Sequence, residues 1–451
     1  MTECKQPKLE FQDICGKRVE GRFDAGKLSS DLRLLLIREI VDGQGFFGRL
    51  GDCFHDHRTT DAVTHSLESM LKQRVYGLLA GYEDLSDHDT VRKDPVAQLL
   101  SGRIPGEHSV LASHSTLNRI ELGKEAICDD ERYKKITYDD SSLETFFIQE
   151  FVRYAKRKKL KQLILDADAT DIPLHGKQEG RFYHGYYGHY CYLPLYIFCE
   201  EFPLWAELRP ANIDASLGTE AALEKIIPAL KAALPGVRII LRADSGFARE
   251  GIMRFCEENG IDFILGLARN SRLQAELAEE MQTAQLRYEE TKCAARVFKA
   301  FQYETNDSWS RKRRVIGKAE HLEKGSNPRF IVTSLKGNPA TLYEKVYCKR
   351  GEAENCIKEQ FQLFAHRASS SVKRANQLRL WFSTVAYLVL VLFKKSSLAG
   401  TEMENSEPNT IRSKLLKIAV KVTVTARRVY LSFAESFPLQ ELFYSALKAS
   451  S

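Results

Sequence analysis

"KRKKLKQLILDADATD", residues 156–171, marks the point where the pattern of the chain changes, and its reading decides the fold. A basic run gives way to the apolar triplet Leu163, Ile164 and Leu165. Asp166, Asp168 and Asp171 then fall within six residues. A short apolar run bounded by polar residues reads as a buried strand. Carboxylates crowded at its end repel one another and are costly to desolvate unless positive charge neutralises them. That charge has to come from elsewhere in the chain or from a bound ion.

After this stretch the chain reads as short strands. "GRFYHGYYGHYCYLPLYIFCEE" (180–201) alternates aromatic and apolar residues with Gly at the turns, like two antiparallel strands, and "PLWAELRPA" (203–211) reads as a third. An amphipathic helix, "GTEAALEKIIPALKAALPG" (218–236), leads to "VRIILRADSGF" (237–247), a buried strand closing at Asp244. The helix "REGIMRFCEENG" (249–260) and the strand "IDFILGLA" (261–268) follow. A meander of strands continued by βα units is the topology of an RNase H-like fold, with a mixed five-stranded sheet and flanking helices. Residues 270–335 break this rhythm with a charged helix and extra strands, a β-rich insertion that ends at "PRFIVTSL" (328–335). A long helix is expected over "TLYEKVYCKRGEAENCIKEQFQLFAH" (341–366).

Residues 1–145 read as mainly helical. "LSSDLRLLLIREIVDG" (28–43) has helical periodicity between a Ser/Asp start and a Gly stop. "LASHSTLNRIELG" (111–123) resembles a helix-turn-helix fragment and equally an ordinary helix capped by Ser113 or Ser115. "GQGFFG" (43–48) satisfies G-x-G-x-x-G, but a helical stretch rather than a strand precedes it, so it is set aside as a dinucleotide site. "CFHDH" (53–57) matches no standard zinc spacing. Ten scattered cysteines and a polar start without a signal-peptide core fit a reduced, cytoplasmic protein. The apolar stretch 375–393, interrupted by Gln377 and Arg379, reads as a buried core helix rather than a membrane span, so no membrane partner is expected.

At 451 residues the chain exceeds one ordinary domain. The expected division is 1–145, helical and DNA-binding; 146–269 and 336–395, the two parts of the RNase H-like core; 270–335, the insertion; and 396–451, a helical basic C-terminal region. Net charge is +6, unevenly spread: residues 361–451 hold 13 Lys and Arg against 5 Asp and Glu, whereas residues 1–360 hold 53 against 55. With the run "RYAKRKKLK" (153–161), this points to a polyanionic partner. "SWSRKRRV" (308–315) either grips DNA or is an exposed basic hairpin, and the aromatic hairpin either stacks on unpaired bases or follows strand propensity.

Asp168 and Asp244 each close an apolar strand, and neighbouring strands lie about 5 Å apart, so their carboxylates can converge. A third can come from "YCKRGEAENCIKEQ" (347–360). Three carboxylates around one point are tolerable with divalent metal between them, and oxygen-only ligation suits Mg²⁺ or Mn²⁺. Two such ions stabilise the attacking and leaving oxygens of an in-line phosphoryl displacement, so the substrate expected is a phosphodiester.

The blocks 165–199, 241–247 and 347–360 make the chain resemble a bacterial insertion-sequence DDE transposase, in the group numbered thirteen-eighty, related to the insertion-sequence-four superfamily. The resemblance implies Asp168, Asp244 and Glu354 as the catalytic, metal-holding triad. It also implies that Tyr347 and Arg350, in the motif Tyr347-x2-Arg350-x3-Glu354, contact DNA. The superfamily places a Lys seven residues after the Glu; here that position is Phe361, and Lys358, one turn beyond Glu354, is the candidate for its phosphate contact. The implied partners are terminal inverted repeats and target DNA, bound by a homodimer on paired ends, in a nucleoid-associated bacterial setting. The implied activity is endonucleolytic cleavage and strand transfer. A catalytically silent, domesticated DNA-binding regulator is the alternative. Asp166 shares a strand face with Asp168, but the D-x-T match selects Asp168; Asp171 reads as a turn or cap, and Glu352 as solvated.

Overall fold

A computed structural model describes residues 9–30, 34–59, 61, 63–123 and 133–450. The acidic stretch lies on β1 (Gln162–Ala169), whose residues are almost continuously buried, as expected of a strand covered on both faces. β1, β2 (Leu195–Cys199) and β3 (Phe202–Glu207) form an antiparallel meander. β4 (Arg238–Ala243) runs parallel to β1, and β5 (Asp262–Leu267) parallel to β4. The order β3-β2-β1-β4-β5 is the arrangement expected of an RNase H-like core. α1 (Asp140–Lys158) feeds β1, α2 (Thr219–Ala233) connects the meander to β4, and α3 (Glu250–Glu258) connects β4 to β5. The basic start of the opening stretch is the last turn of α1, where Lys156, Arg157 and Lys158 complement the negative end of the helix dipole.

The insertion does not stand apart. β6 (Ala295–Tyr303), β7 (Arg313–Leu322) and β8 (Arg329–Thr333) extend the same sheet, with β8 antiparallel to β5 and the order continuing β8-β7-β6. Gly325–Ser326 pairs with the end of β7, so the expected five-stranded sheet has nine strands. α4 (Ala278–Thr291) packs on β6 and β7.

Three elements depart from the sequence reading. The aromatic hairpin is not part of the meander: Phe182–His184 and His189–Tyr192 form a small separate sheet with Ile172–Pro173, and β2 begins only at Leu195. The long helix is broken into a π-turn segment (Leu342–Val346), a 3₁₀ turn (Tyr347–Arg350) and α5 (Gly351–Phe361). The C-terminal region is not uniformly helical: Val420–Val424 pairs with Val429–Phe433 on one side and with Leu28–Ser29 on the other, because alternating β-branched residues favour a pleated, half-buried surface.

α6 (Lys373–Phe393) carries the longest apolar run. Lys373–Leu398 is long and apolar enough to cross a membrane, but 89% of its most apolar 18 residues are buried inside the protein, and the helix packs against the helix Leu67–Ala80 and β3. In the N-terminal part, the Asp31 proposed to start the first helix lies outside the described residues; the helix is seen from Leu34 to Gly43. Ser113 stands at the N-cap of His114–Glu121, but its hydroxyl bonds the Ser115 and Thr116 side chains rather than the helix backbone.

Candidate active site

The register of the two central parallel strands assembles the site. Arg242 on β4 lies opposite Asp166 on β1, and Ala243 opposite Ala167. One step further, where the strands end, Asp168 and Asp244 follow. The first rung is therefore a carboxylate against a guanidinium, and the second a carboxylate beside a carboxylate.

The Arg242 guanidinium donates to both oxygens of Asp166, at 2.5 and 2.7 Å, and to the Val346 carbonyl at 2.6 Å. Burial opposes the charge on Arg242, yet these bonds and the charges of Asp166 and Glu352 raise its pKa. Asp166 is thus consumed by a structural ion pair and is not free to ligate. Sequence reading missed Arg242, although an arginine two residues before Asp244 in an otherwise apolar strand was the visible signal.

Asp168 has no such dedicated partner. Its Oδ2 lies 3.5 Å from Arg350 Nη1, and the backbone N–H of Ala169 donates to its Oδ1 at 2.9 Å. Burial pushes its pKa up to about 7; Arg350 and the Ala169 N–H oppose the rise, while Asp244 and Glu354 add to it. Asp244 caps the turn Ser245–Phe247 by accepting from the Gly246 N–H at 2.8 Å. Arg350 Nη2 donates to Glu354 Oε1 at 2.6 Å. Burial opposes the Arg350 charge, and Asp168, Glu354, Tyr347 and Asp244 together raise its pKa. Arg350 thus lies between Asp168 of β1 and Glu354 of α5, and the charge of Asp244, just past β4, also reaches it. Among the described residues, no three His, Cys, Asp or Glu side chains are grouped as a ready metal-binding cluster.

Tyr347 sits beside this centre. A Cβ on Gly266 of β5 would come within 2.6 Å of the Tyr347 hydroxyl and 2.7 Å of the Ser245 backbone nitrogen. Only glycine leaves room there for the tyrosine and the Asp244 turn together. Lys358 is exposed, and among the described residues no ion pair engages it.

The rejected candidates have explicit partners. Asp171 is not a cap but pairs with His189 Nε2 at 2.7 Å. Glu352 is exposed and reaches Arg242 at 3.5 Å. The basic run of the insertion is largely engaged by its neighbours: Arg313 pairs with Glu250 and Glu257 of α3, Arg311 with Glu257, and Arg314 donates to the Leu335 and Gly337 carbonyls. His55 and His57 are exposed.

These features define an α/β protein with two aspartates at the ends of adjacent parallel strands and a glutamate on a facing helix. The chain belongs to the family described as Transposase DDE domain group 1, whose sequence profile matches residues 11–450. Among solved structures, it is similar to the piggyBac transposase synaptic complex with hairpin DNA, at 11% identity, covering 85% of this chain and 79% of that one, with a TM-score of 0.42. No match is found among curated proteins.

Proposed function

We propose that the chain is an active DDE transposase of an insertion sequence, using an RNase H-like core to cleave DNA at terminal inverted repeats and join it to target DNA. The observation that supports this reading is Arg350 lying 3.5 Å from Asp168 and 2.6 Å from Glu354, with Asp244 one residue beyond the last β1–β4 pair. A cluster of acids that needs a positive charge, built only from oxygen donors, fits Mg²⁺ or Mn²⁺. Asp168, Asp244 and Glu354 would hold the metal, which supplies Lewis-acid stabilisation of phosphate oxygens and lowers the pKa of water.

The chain's own residues do the positioning. Arg350 exchanges its carboxylate contacts for a DNA phosphate, to which its planar fork can donate twice. Tyr347, held against Gly266, offers a hydroxyl beside Asp244, and Lys358 reaches phosphate from the exposed face of α5. The paired Asp166–Arg242 rung keeps β1 and β4 in register so that the two aspartates stay adjacent. The protein acts as a homodimer on paired DNA ends, with residues 1–145 recognising the repeats, in the bacterial cytoplasm and associated with the nucleoid.

The test is a cleavage and joining assay on inverted-repeat DNA with Mg²⁺, comparing wild type with Asp168→Asn. Loss of cleavage with retained end binding is expected. Cutting by the variant at the wild-type rate contradicts the assignment, and cut ends without joined products point to a plain nuclease.

A further inference from the structure

The small sheet beside the carboxylates is made of the wrong residues for a structural turn. Its hairpin, Phe182–His184 and His189–Tyr192, pairs Tyr183 with Tyr190 across the strands. Their rings meet edge to face at 5.6 Å, and the Arg181 guanidinium lies 4.5 Å over the Tyr190 ring. Tyr186, at the tip, is 87% exposed, Tyr183 58% and Tyr190 45%. Strand propensity explains aromatics packed on a sheet face; it does not explain three tyrosines facing solvent on one short hairpin.

The opposite face fixes where the hairpin stands. Tyr187, Ala169 (the residue after Asp168) and Ala215 all pack against the small buried cluster of Cys191, Leu193 and Ala211. Ala215 in turn lies 3.7 Å from a Cβ built on Gly246 of the Asp244 turn. The charges of Asp171 and Asp168 reach Tyr187, and Asp171 Oδ2 is hydrogen-bonded to His189 Nε2 at 2.7 Å. The base of the hairpin is tied down, with the Tyr192 hydroxyl donating to the Glu179 carbonyl and the Glu179 N–H to the Ser371 carbonyl. The tyrosines are thus presented by a fixed scaffold next to both aspartates. Cations stand near them: Lys177 and Arg181 flank Glu179 in the same segment, and Lys373 passes 3.6 Å from a Cβ built on Gly180.

We propose that this hairpin is a stacking platform for unpaired nucleobases of the DNA strand beside the scissile phosphate. The reading rests on the proposed DNA-cleaving function. Tyrosine faces accept bases of any identity, the nearby cations suit the phosphates between them, and the fixed base lowers the ordering cost of binding. The occupant is a single-stranded or locally melted segment, since a paired and stacked base has no free face to offer.

Fluorescence anisotropy with a labelled twelve-nucleotide thymidine single strand, and with a duplex of equal length, tests this on the full chain. Tyr183→Ala and Tyr186→Ala are each expected to weaken single-strand binding about tenfold while leaving duplex binding within twofold. Tyr186→Phe, which keeps the ring, is expected to restore wild-type affinity. Unchanged melting temperatures exclude unfolding as the cause. Unchanged single-strand affinity in the alanine variants, with wild type still binding DNA, overturns the platform and leaves the transposase reading standing. Equal loss on both probes also overturns it, marking a backbone contact instead. Failure of wild type to bind either probe overturns both.

Discussion

Replacing Arg242 by Met, with Asp166 left in place, is expected to be among the most damaging single changes in the sheet. Both side chains are buried, 2% and 4% exposed, and bonded at 2.5 and 2.7 Å. Methionine preserves most of the volume, so the loss is electrostatic. An uncompensated carboxylate buried between β1 and β4 costs about 3–5 kcal/mol, and the lost bond to the Val346 carbonyl adds about 1 kcal/mol. Against a typical total of roughly 5–15 kcal/mol, this takes a large share of the stability. Urea unfolding followed by tryptophan emission and circular dichroism reads the effect. The double variant Asp166→Leu/Arg242→Met removes both charges and is expected to recover most of the loss, since apolar replacement of a buried pair is often neutral. A single variant within 1 kcal/mol of wild type, or a double variant no better than the single, refutes the reasoning.

Gly266→Ala is expected to reduce DNA cleavage at least tenfold with a smaller effect on melting temperature, because the new methyl meets the Tyr347 hydroxyl and the Ser245 backbone; wild-type turnover would show that the contact is slack. Glu121, 1% exposed, bridges Arg74 at 2.9 Å and Arg379 at 2.6 Å, joining the N-terminal helices to α6. Glu121→Ala is expected to cost about 3 kcal/mol in thermal or urea unfolding, whereas a cost below 1 kcal/mol would deny that bridge its role. At the start of α3, burial opposes the charge of Glu250, but bonds from Arg313 and Ser310 of the insertion hold its pKa down at about 2. A depressed carboxylate stabilises above its ordinary value of 4.5 and loses that contribution as pH falls toward 2. About 2 kcal/mol, after allowance for solvent screening, is expected to disappear across this window. Arg313→Met, measured at pH 7 and pH 3, should flatten that dependence, and an unchanged acid slope would contradict the assignment.

The strand-end aspartates were legible because an apolar run closing on a carboxylate has few structural uses, and β1, β4 and β5 appear where periodicity placed them. Arg242 was overlooked because its meaning depends on register: only pairing across β1 and β4 shows that it faces Asp166. The same holds for the insertion. Its strands were recognisable, but their continuation of the central sheet through β8 on β5 is a pairing between residues about 70 apart. The C-terminal strand Val420–Val424 carried a readable alternation around Lys421; its partner Leu28–Ser29 lies almost 400 residues away, beyond any local signal. The break before α5 was likewise invisible, since Leu342–Arg350 contains no proline or glycine to announce it.

The most direct measurement is a crystal structure of the full chain grown with Mn²⁺ and examined for anomalous scattering. Manganese is expected within about 2.0–2.4 Å of carboxylate oxygens from Asp168 and Asp244, with Glu354 beside it and Arg350 swung away from Asp168. Manganese bound elsewhere, or Arg350 still bridging Asp168 and Glu354 at saturating metal, contradicts the account.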